Sequence, residues 1–281
     1  MARFFLFLYT PSMESTLTTQ SVQIQHIRNA TAKIKYADTT FLVDPMLARK
    51  DAYPGFEGTY RSHLRNPMIE LPMPVEDVME GVDAVIVSHT HLDHWDDAAQ
   101  ELLPKGIPLF AQDEVDAQVI RAQGFTDVRV LGEDTVFGGV HLAKTGGQHG
   151  TDAMYSVHEV ADILGKVMGI VFWAPGTKTV YVAGDTVWDS DVDQTLAKFN
   201  PDVIILNTGD ARLIGFSDSI IMSKDDTLRA HQAAPNATII AVHMDAINHT
   251  ALSREELREY VQLKNIQDRV LVPADGESLT F

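Results

Sequence analysis

Three short β-rich runs stand near the start of the chain, VQIQHI (22–27), TAKIKY (31–36) and TFLVDP (40–45), and in the first two apolar and polar positions alternate with a period of two. Such alternation marks half-buried β-strands. The Ala37-Asp38 pair between the second and third runs reads as a turn, so the chain is expected to open as an antiparallel sheet. The pattern then changes. VDAVIVSH (82–89) is a continuous apolar run of strand length, as a strand buried on both faces should be. Further strands are expected at 107–111 and in DVRVL, VHLAKT, GIVFWA, TVYVAG, DVIILN and ATIIAVH. Helices are predicted between and after them, over 96–103, 113–123, 190–199, 223–233 and 253–264. Gly124 closes the second of these. Ser253 and Glu256 form an S-x-x-E capping box at the last, with Leu257 and Val261 on one face. Strands alternating with helices, without repeat or linker, predict one α/β domain over 21–281. Residues 51–76 follow neither period and carry Pro54, Gly55, Gly58, Pro67, Pro72 and Pro74. Such a segment in a compact protein reads as a functional loop or lid.

Composition narrows the function classes. At 281 residues the chain can bury a core without covalent staples. A formal net charge of −17 repels phosphate backbones and anionic membranes, and no Lys/Arg run offsets it. A small-molecule substrate is therefore expected, with no nucleic acid or membrane partner; a homo-oligomer is left open. There is no cysteine, which removes disulfides, a thiol nucleophile and thiolate metal ligands together. FFLFLY (4–9) is too short to span a bilayer, and no A-x-A site follows it. We read 1–20 as a flexible leader, with Met13 as an alternative start, and expect a cytoplasmic protein.

The chemistry concentrates in SHTHLDHW (88–95), where His89, His91, Asp93 and His94 fall within six positions. On extended backbone, side chains two apart share a face, so His89 and His91 can grip one ion. Asp93 and His94 diverge and can aim at a second. Imidazole and carboxylate without thiolate suit zinc and would also accept manganese or iron. Four such groups are costly to bury together without a cation.

H-T-H-L-D-H resembles the H-x-H-x-D-H motif of the metallo-β-lactamase superfamily, and the resemblance extends over roughly residues 22–281. It implies a four-layer αββα sandwich with a metal centre at one edge, between the sheets. It also implies that His149 (in TGGQHG) completes the first site, that Asp185 (in VYVAGDT) bridges both ions, and that His243 (ending ATIIAVH) completes the second. RNAT, FLVDPML, AGDT and HMDAINH further resemble the ascorbate-phosphate-lactonase-like branch. The implied cofactor is a pair of divalent ions, zinc first and manganese or iron as alternatives. They would share a bridging hydroxide that attacks a carbonyl or phosphoryl centre. Asp93 would ligate one ion and pass a proton. Many β-lactamases proper carry a Cys in the second site; this chain does not, which argues against that subtype's antibiotic hydrolysis.

Other residues are open to two readings. Asp44 could orient a ligand His or simply end its strand. His249 competes with His243, which is preferred because it terminates a strand; His249 is then free to hydrogen-bond substrate. Asp210 could line the pocket or cap a turn. Tyr60, Arg61 and His63 read as solvated loop residues, His26, His141, His158 and His231 as structural, and Trp95 as packing. With no G-x-S-x-G elbow and no P-loop, the expected reaction is hydrolysis of a small ester, lactone or amide. Phosphodiester cleavage and iron-dependent redox chemistry are the alternatives. A non-catalytic metal-binding module is argued against by the intact ligand set.

Overall fold

The computed structural model describes residues 21–281; the leader expected at 1–20 lies outside the described residues. Six strands enter a first sheet in succession: β1 (Val22–Arg28), β2 (Thr31–Tyr36), β3 (Thr39–Val43), β4 (Ala84–Val87), β5 (Leu109–Ala111) and β6 (Val128–Val130). The next seven build a second sheet: β7 (Thr135–Phe137), β8 (Val140–Thr145), β9 (Gly169–Trp173), β10 (Val180–Val182), β11 (Val203–Asn207), β12 (Thr238–Val242) and β13 (Val270–Leu271). β14 (Ser278–Thr280) returns to the first sheet beside β1, so the orders are β14-β1-β2-β3-β4-β5-β6 and β13-β12-β11-β10-β9-β8-β7.

The outer helices follow from burial on both faces of these strands. In β4, Ala84 and Ile86 face the opposite sheet, while Val85 and Val87 face helices. In β12, Ile240 and Val242 point inward and Ile239 and Ala241 outward. Phe41 of the first sheet meets Phe172 of the second edge-on at 5.3 Å. Helices α1 (Val75–Met79), α2 (Asp97–Leu102) and α3 (Glu114–Ala122) cover the first sheet through Val78, Ala99 and Ile120. Between the two groups lie α4 (Asp152–Tyr155) and α5 (His158–Leu164), which pack on the 211–221 loop as a separate small cluster. α6 (Ser190–Phe199), α7 (Lys224–Ala233) and α8 (Arg254–Leu263) cover the second sheet through Val192, Ala230 and Leu257. The result is the αββα arrangement that the motif resemblance implied. Burying each large aliphatic side chain contributes about 1.5–3 kcal/mol, so these layers need no covalent support.

Local signals start the helices where expected. Asp96 caps α2 by accepting from the Ala99 N–H, and Ser253 and Glu256 form the predicted capping box on α8. Tyr36 and Thr39 pair across the two-residue turn, where Ala37 takes a positive φ of 53°. Six short elements carry no sequence prediction: α1, α4, α5, β7, β13 and β14. The 51–76 segment is irregular, as expected, but it is tied down. It makes bridges Tyr53–Asn66 and Thr59–Leu213. Asn248 donates to Thr59 Oγ1 and the Tyr60 carbonyl, and accepts from the Phe56 N–H and Asn66 Nδ2. Among the described residues, no helix is long and apolar enough to cross a membrane.

Candidate metal centre

β3 and β4 run parallel in one sheet, and β10, β11 and β12 run parallel in the other. Their carboxyl ends emerge at a common edge, and each releases a polar residue there: Asp44, His89, Asp185, Asn207 and His243. After β4 the chain does not stay extended. The N–H groups of His94 and Trp95 both donate to the His91 carbonyl, which turns the motif into α2. His89 and His91 thus converge through a loop rather than through strand alternation.

Seven side chains meet in two groups. His89, His91 and His149 form one; Asp93, His94, Asp185 and His243 form the other, with donor atoms within 4.8 Å of one another in each. His89 Nε2 and His91 Nδ1 are 3.0 Å apart. His94 Nε2 lies 3.1 Å from Asp185 Oδ2 and 3.2 Å from His243 Nε2. Asp185 sits between the groups, with Oδ2 3.8 Å from His149 Nε2 and Oδ1 3.5 Å from His243 Nε2.

The far side of four imidazoles fixes which nitrogen faces inward. His149 Nδ1 donates to the Ile220 carbonyl and His91 Nε2 to the Ile163 carbonyl, because a carbonyl can only accept. His94 Nδ1 donates to Asp44 Oδ2 at 2.9 Å. Ser88 Oγ donates to the same carboxylate and so accepts from His89 Nδ1. Each of these rings therefore turns its other nitrogen toward the cluster, the atom a metal would take up. Asp44 is the orienting group for two of them, held by the Ser88 N–H at 2.7 Å.

Electrostatics points the same way. Burial alone would lower the His94 pKa, but Asp185, Asp93 and Asp44 together hold it well above the ordinary value. Burial would raise the Asp185 and Asp93 carboxyls, yet the surrounding imidazoles, His94 first, hold both well below theirs. Burial pushes His89 well down and His149 to about 4. Two carboxylates thus demand positive charge at a point ringed by imidazoles, and Asp93 Oδ2 has no hydrogen-bond partner among the described residues. The donor set fits divalent cations.

A cavity of about 530 Å³ opens onto Asp93, His91 and His149, walled by Phe56, Leu92, Val160, Ile163, Leu213 and Phe216. His249 lines it as well, and among the described residues no Lys or Arg does. Asp210 is not part of this lining: its carboxylate pairs with Arg212 at 2.7 Å and its φ of 51° marks a turn. Arg61 is not a free loop residue either, since its guanidinium donates to the Asn248 and Thr250 carbonyls. Trp95 packs on Phe125, with Nε1 donating to Gln123. His158 is exposed on α5 beside Asp162. Sequence reasoning passed over Asn207, which ends β11 and donates to Asp185 Oδ1 at 2.7 Å; its position at a strand end was the available signal.

A model of the β-lactamase superfamily domain matches residues 39–244. The chain belongs to the metallo-β-lactamase superfamily. Its place is among the superfamily's metal-dependent hydrolases. It is 47% identical over 260 residues to UPF0173 protein YddR of Bacillus subtilis, covering 92% of this chain and all of that one. UPF0173 metal-dependent hydrolase MJ1163 of Methanocaldococcus jannaschii is 23% identical over 215 residues, 76% of this chain and 89% of its own. Two solved structures superpose closely over 92% of this chain and 99% of theirs. One is a possible metal-dependent hydrolase from Veillonella parvula, with 51% identity and a TM-score of 0.91. The other is an isothiocyanate hydrolase from Delia radicum gut bacteria, with 48% identity and a TM-score of 0.89.

Proposed function

We propose that this chain is a binuclear metal hydrolase acting on a small, neutral electrophile with an apolar substituent, an isothiocyanate in the first instance. The observation that carries the reading is the pairing of two donor clusters with an apolar cavity that has no cationic side chain in its wall. His89, His91 and His149 would hold one ion, and Asp93, His94 and His243 the other, with Asp185 reaching both. Zinc is the first choice for this nitrogen- and oxygen-rich set, manganese and iron the alternatives. Divalent ions bound there supply Lewis acidity, acidifying a water and polarising the electrophile. The chain's own part is to position and to exclude water. Phe56, Leu213 and Phe216 take the apolar substituent, Asp44 and Asn207 keep His94 and Asp185 in place, and Asp93 Oδ2, unpartnered, can receive a proton from the attacking water.

For R–N=C=S, the water oxygen bonds to the central carbon, the C=N pair moves to nitrogen, and the water's protons end on nitrogen and sulfur. The adduct R–NH–C(=O)–SH then separates into R–NH₂ and COS. The similarity to the isothiocyanate hydrolase supports this substrate; the apolar wall supports esters, lactones and amides by the same chemistry as a second reading. A phosphodiester would bring its charge against a wall in which, among the described residues, no Lys or Arg assists the metal site and Glu57 repels it, which disfavours that alternative.

The test is a hydrolysis panel of benzyl isothiocyanate, an aryl ester, a lactone, an amide and a phosphodiester. Metal-stripped protein is reloaded with zinc, manganese or iron, and amine release is followed for the isothiocyanate. Turnover by wild type and near-total loss in Asp185→Ala is the expected result. Equal rates in both proteins, or turnover of the phosphodiester alone, would overturn the reading.

A further inference from the structure

His249 stands where a substrate would be read rather than where a cation would be held. It belongs to neither donor cluster, yet it is buried and lines the cavity beside Asp93 and His149. Its Nδ1 is buried with no hydrogen-bond partner among the described residues. Interiors rarely leave a polar atom in that state, and a phenylalanine would fill the same volume without the cost. The ring is nonetheless held in place. Phe56 meets it edge-on at 5.1 Å, and its own carbonyl accepts from the Arg212 N–H at 2.9 Å. The preceding residue, Asn248, is fixed by hydrogen bonds on its backbone N–H and on both side-chain amide atoms. An uncharged imidazole has one N–H to give. A neutral donor can stabilise developing negative charge in a water-poor cavity without adding a second cation beside bound metal.

We infer that His249 donates a hydrogen bond to the substrate heteroatom that gains negative charge as the water oxygen attacks. In an isothiocyanate that atom is nitrogen; in an ester or amide it is the carbonyl oxygen, which takes the C=O π pair. The inference deepens the proposed hydrolysis and rests on it. Its test uses full-length, zinc-reloaded His249→Phe, which keeps the ring and its packing, and His249→Gln, which keeps a donor. In His249→Phe, kcat/KM for benzyl isothiocyanate should fall by about 10²–10³, the usual effect of removing one preorganised donor. His249→Gln should stay within about tenfold of wild type on the same reasoning, and bound zinc per chain should be unchanged in both. A binding measurement with benzyl alcohol, a non-reacting mimic whose oxygen stands in place of the substrate nitrogen and can accept, should show affinity weakened about tenfold in His249→Phe, in keeping with one lost hydrogen bond. Wild-type rate and affinity in His249→Phe would overturn the inference, and so would loss of zinc, which would make His249 a ligand. Should wild type prove inactive on every substrate, the hydrolysis reading fails, and the benzyl alcohol measurement still decides the hydrogen bond.

Discussion

Replacing Asn248 by alanine tests whether the 51–76 segment is a fixed wall of the cavity or a loose flap. The side chain donates to Thr59 Oγ1 at 2.8 Å and the Tyr60 carbonyl at 2.7 Å, and accepts from the Phe56 N–H at 3.0 Å and Asn66 Nδ2 at 2.8 Å. Asn66 and Asn248 are fully buried and Thr59 nearly so, so water cannot readily replace these partners. At about 1 kcal/mol net per hydrogen bond the loss is about 4 kcal/mol, and abandoned buried groups push it upward. For a domain of this size each kcal/mol moves Tm by roughly 2–4 °C, which gives a fall of roughly 8–16 °C on the same scaling. Thermal unfolding of the metal-free protein checks the magnitude. Limited trypsin digestion at Arg61 and Arg65 checks the location, with faster cleavage expected in the variant. KM for an apolar substrate should rise, because Phe56 and Thr59 line the cavity. A Tm within 2 °C of wild type, on the same scale, with unchanged tryptic protection would refute the reasoning: the segment would then be held by something other than Asn248.

Asp44→Asn should weaken zinc binding by about 10–100-fold, the usual effect of altering a group that orients a ligand histidine; chelator competition measures it, and undiminished affinity would count against the orienting role. Chelation should abolish activity and lower Tm together, and zinc should restore both, since binding to the folded state alone is stabilising. Burial lowers the His26 pKa despite Asp275 at 3.3 Å. The unfolded chain therefore takes up a proton near pH 6.5 that the folded chain refuses, so stability is lost as pH falls below that value. Urea midpoints of wild type and His26→Asn, compared between about pH 7 and 5 around the ordinary histidine value, should converge on acidification.

Much of the architecture could be read from residues because both faces of the central strands are buried: DVIILN and ATIIAVH are apolar throughout for that reason. The convergence of the strand ends was legible too, since a polar group after each apolar run is conspicuous. The cavity wall was not. Val160, Ile163, Leu213 and Phe216 face the cavity or its rim rather than the main core, so they build no stripe of regular period. α5 buries only Leu164 and was invisible as an amphipathic helix. Asp44 and Asp210 show the limit of reading one position at a time. Both follow apolar strands, and both adopt a positive φ, 48° and 51°. One meets His94, fifty positions on, and the other Arg212, two positions on, a difference that the apolar run before each does not encode. His89 and His91 were paired by an argument from strand alternation, whereas the pairing comes from a loop. Asn248 depends on Asn66, 182 positions away, which no local pattern encodes.

The donor groups come from opposite halves of the chain: His89 to His94 hang from the first sheet, and His149, Asp185 and His243 from the second. Cations seated there would rivet two layers whose shared interior is built of interdigitating side chains. Sliding one layer over the other by a fraction of an ångström would spoil the coordination sphere, so metal affinity becomes a gauge of how well the halves mate. Substitutions deep in the shared interior, such as at Phe41 or Phe172, would then be felt at the rim as weakened metal retention before any unfolding is seen.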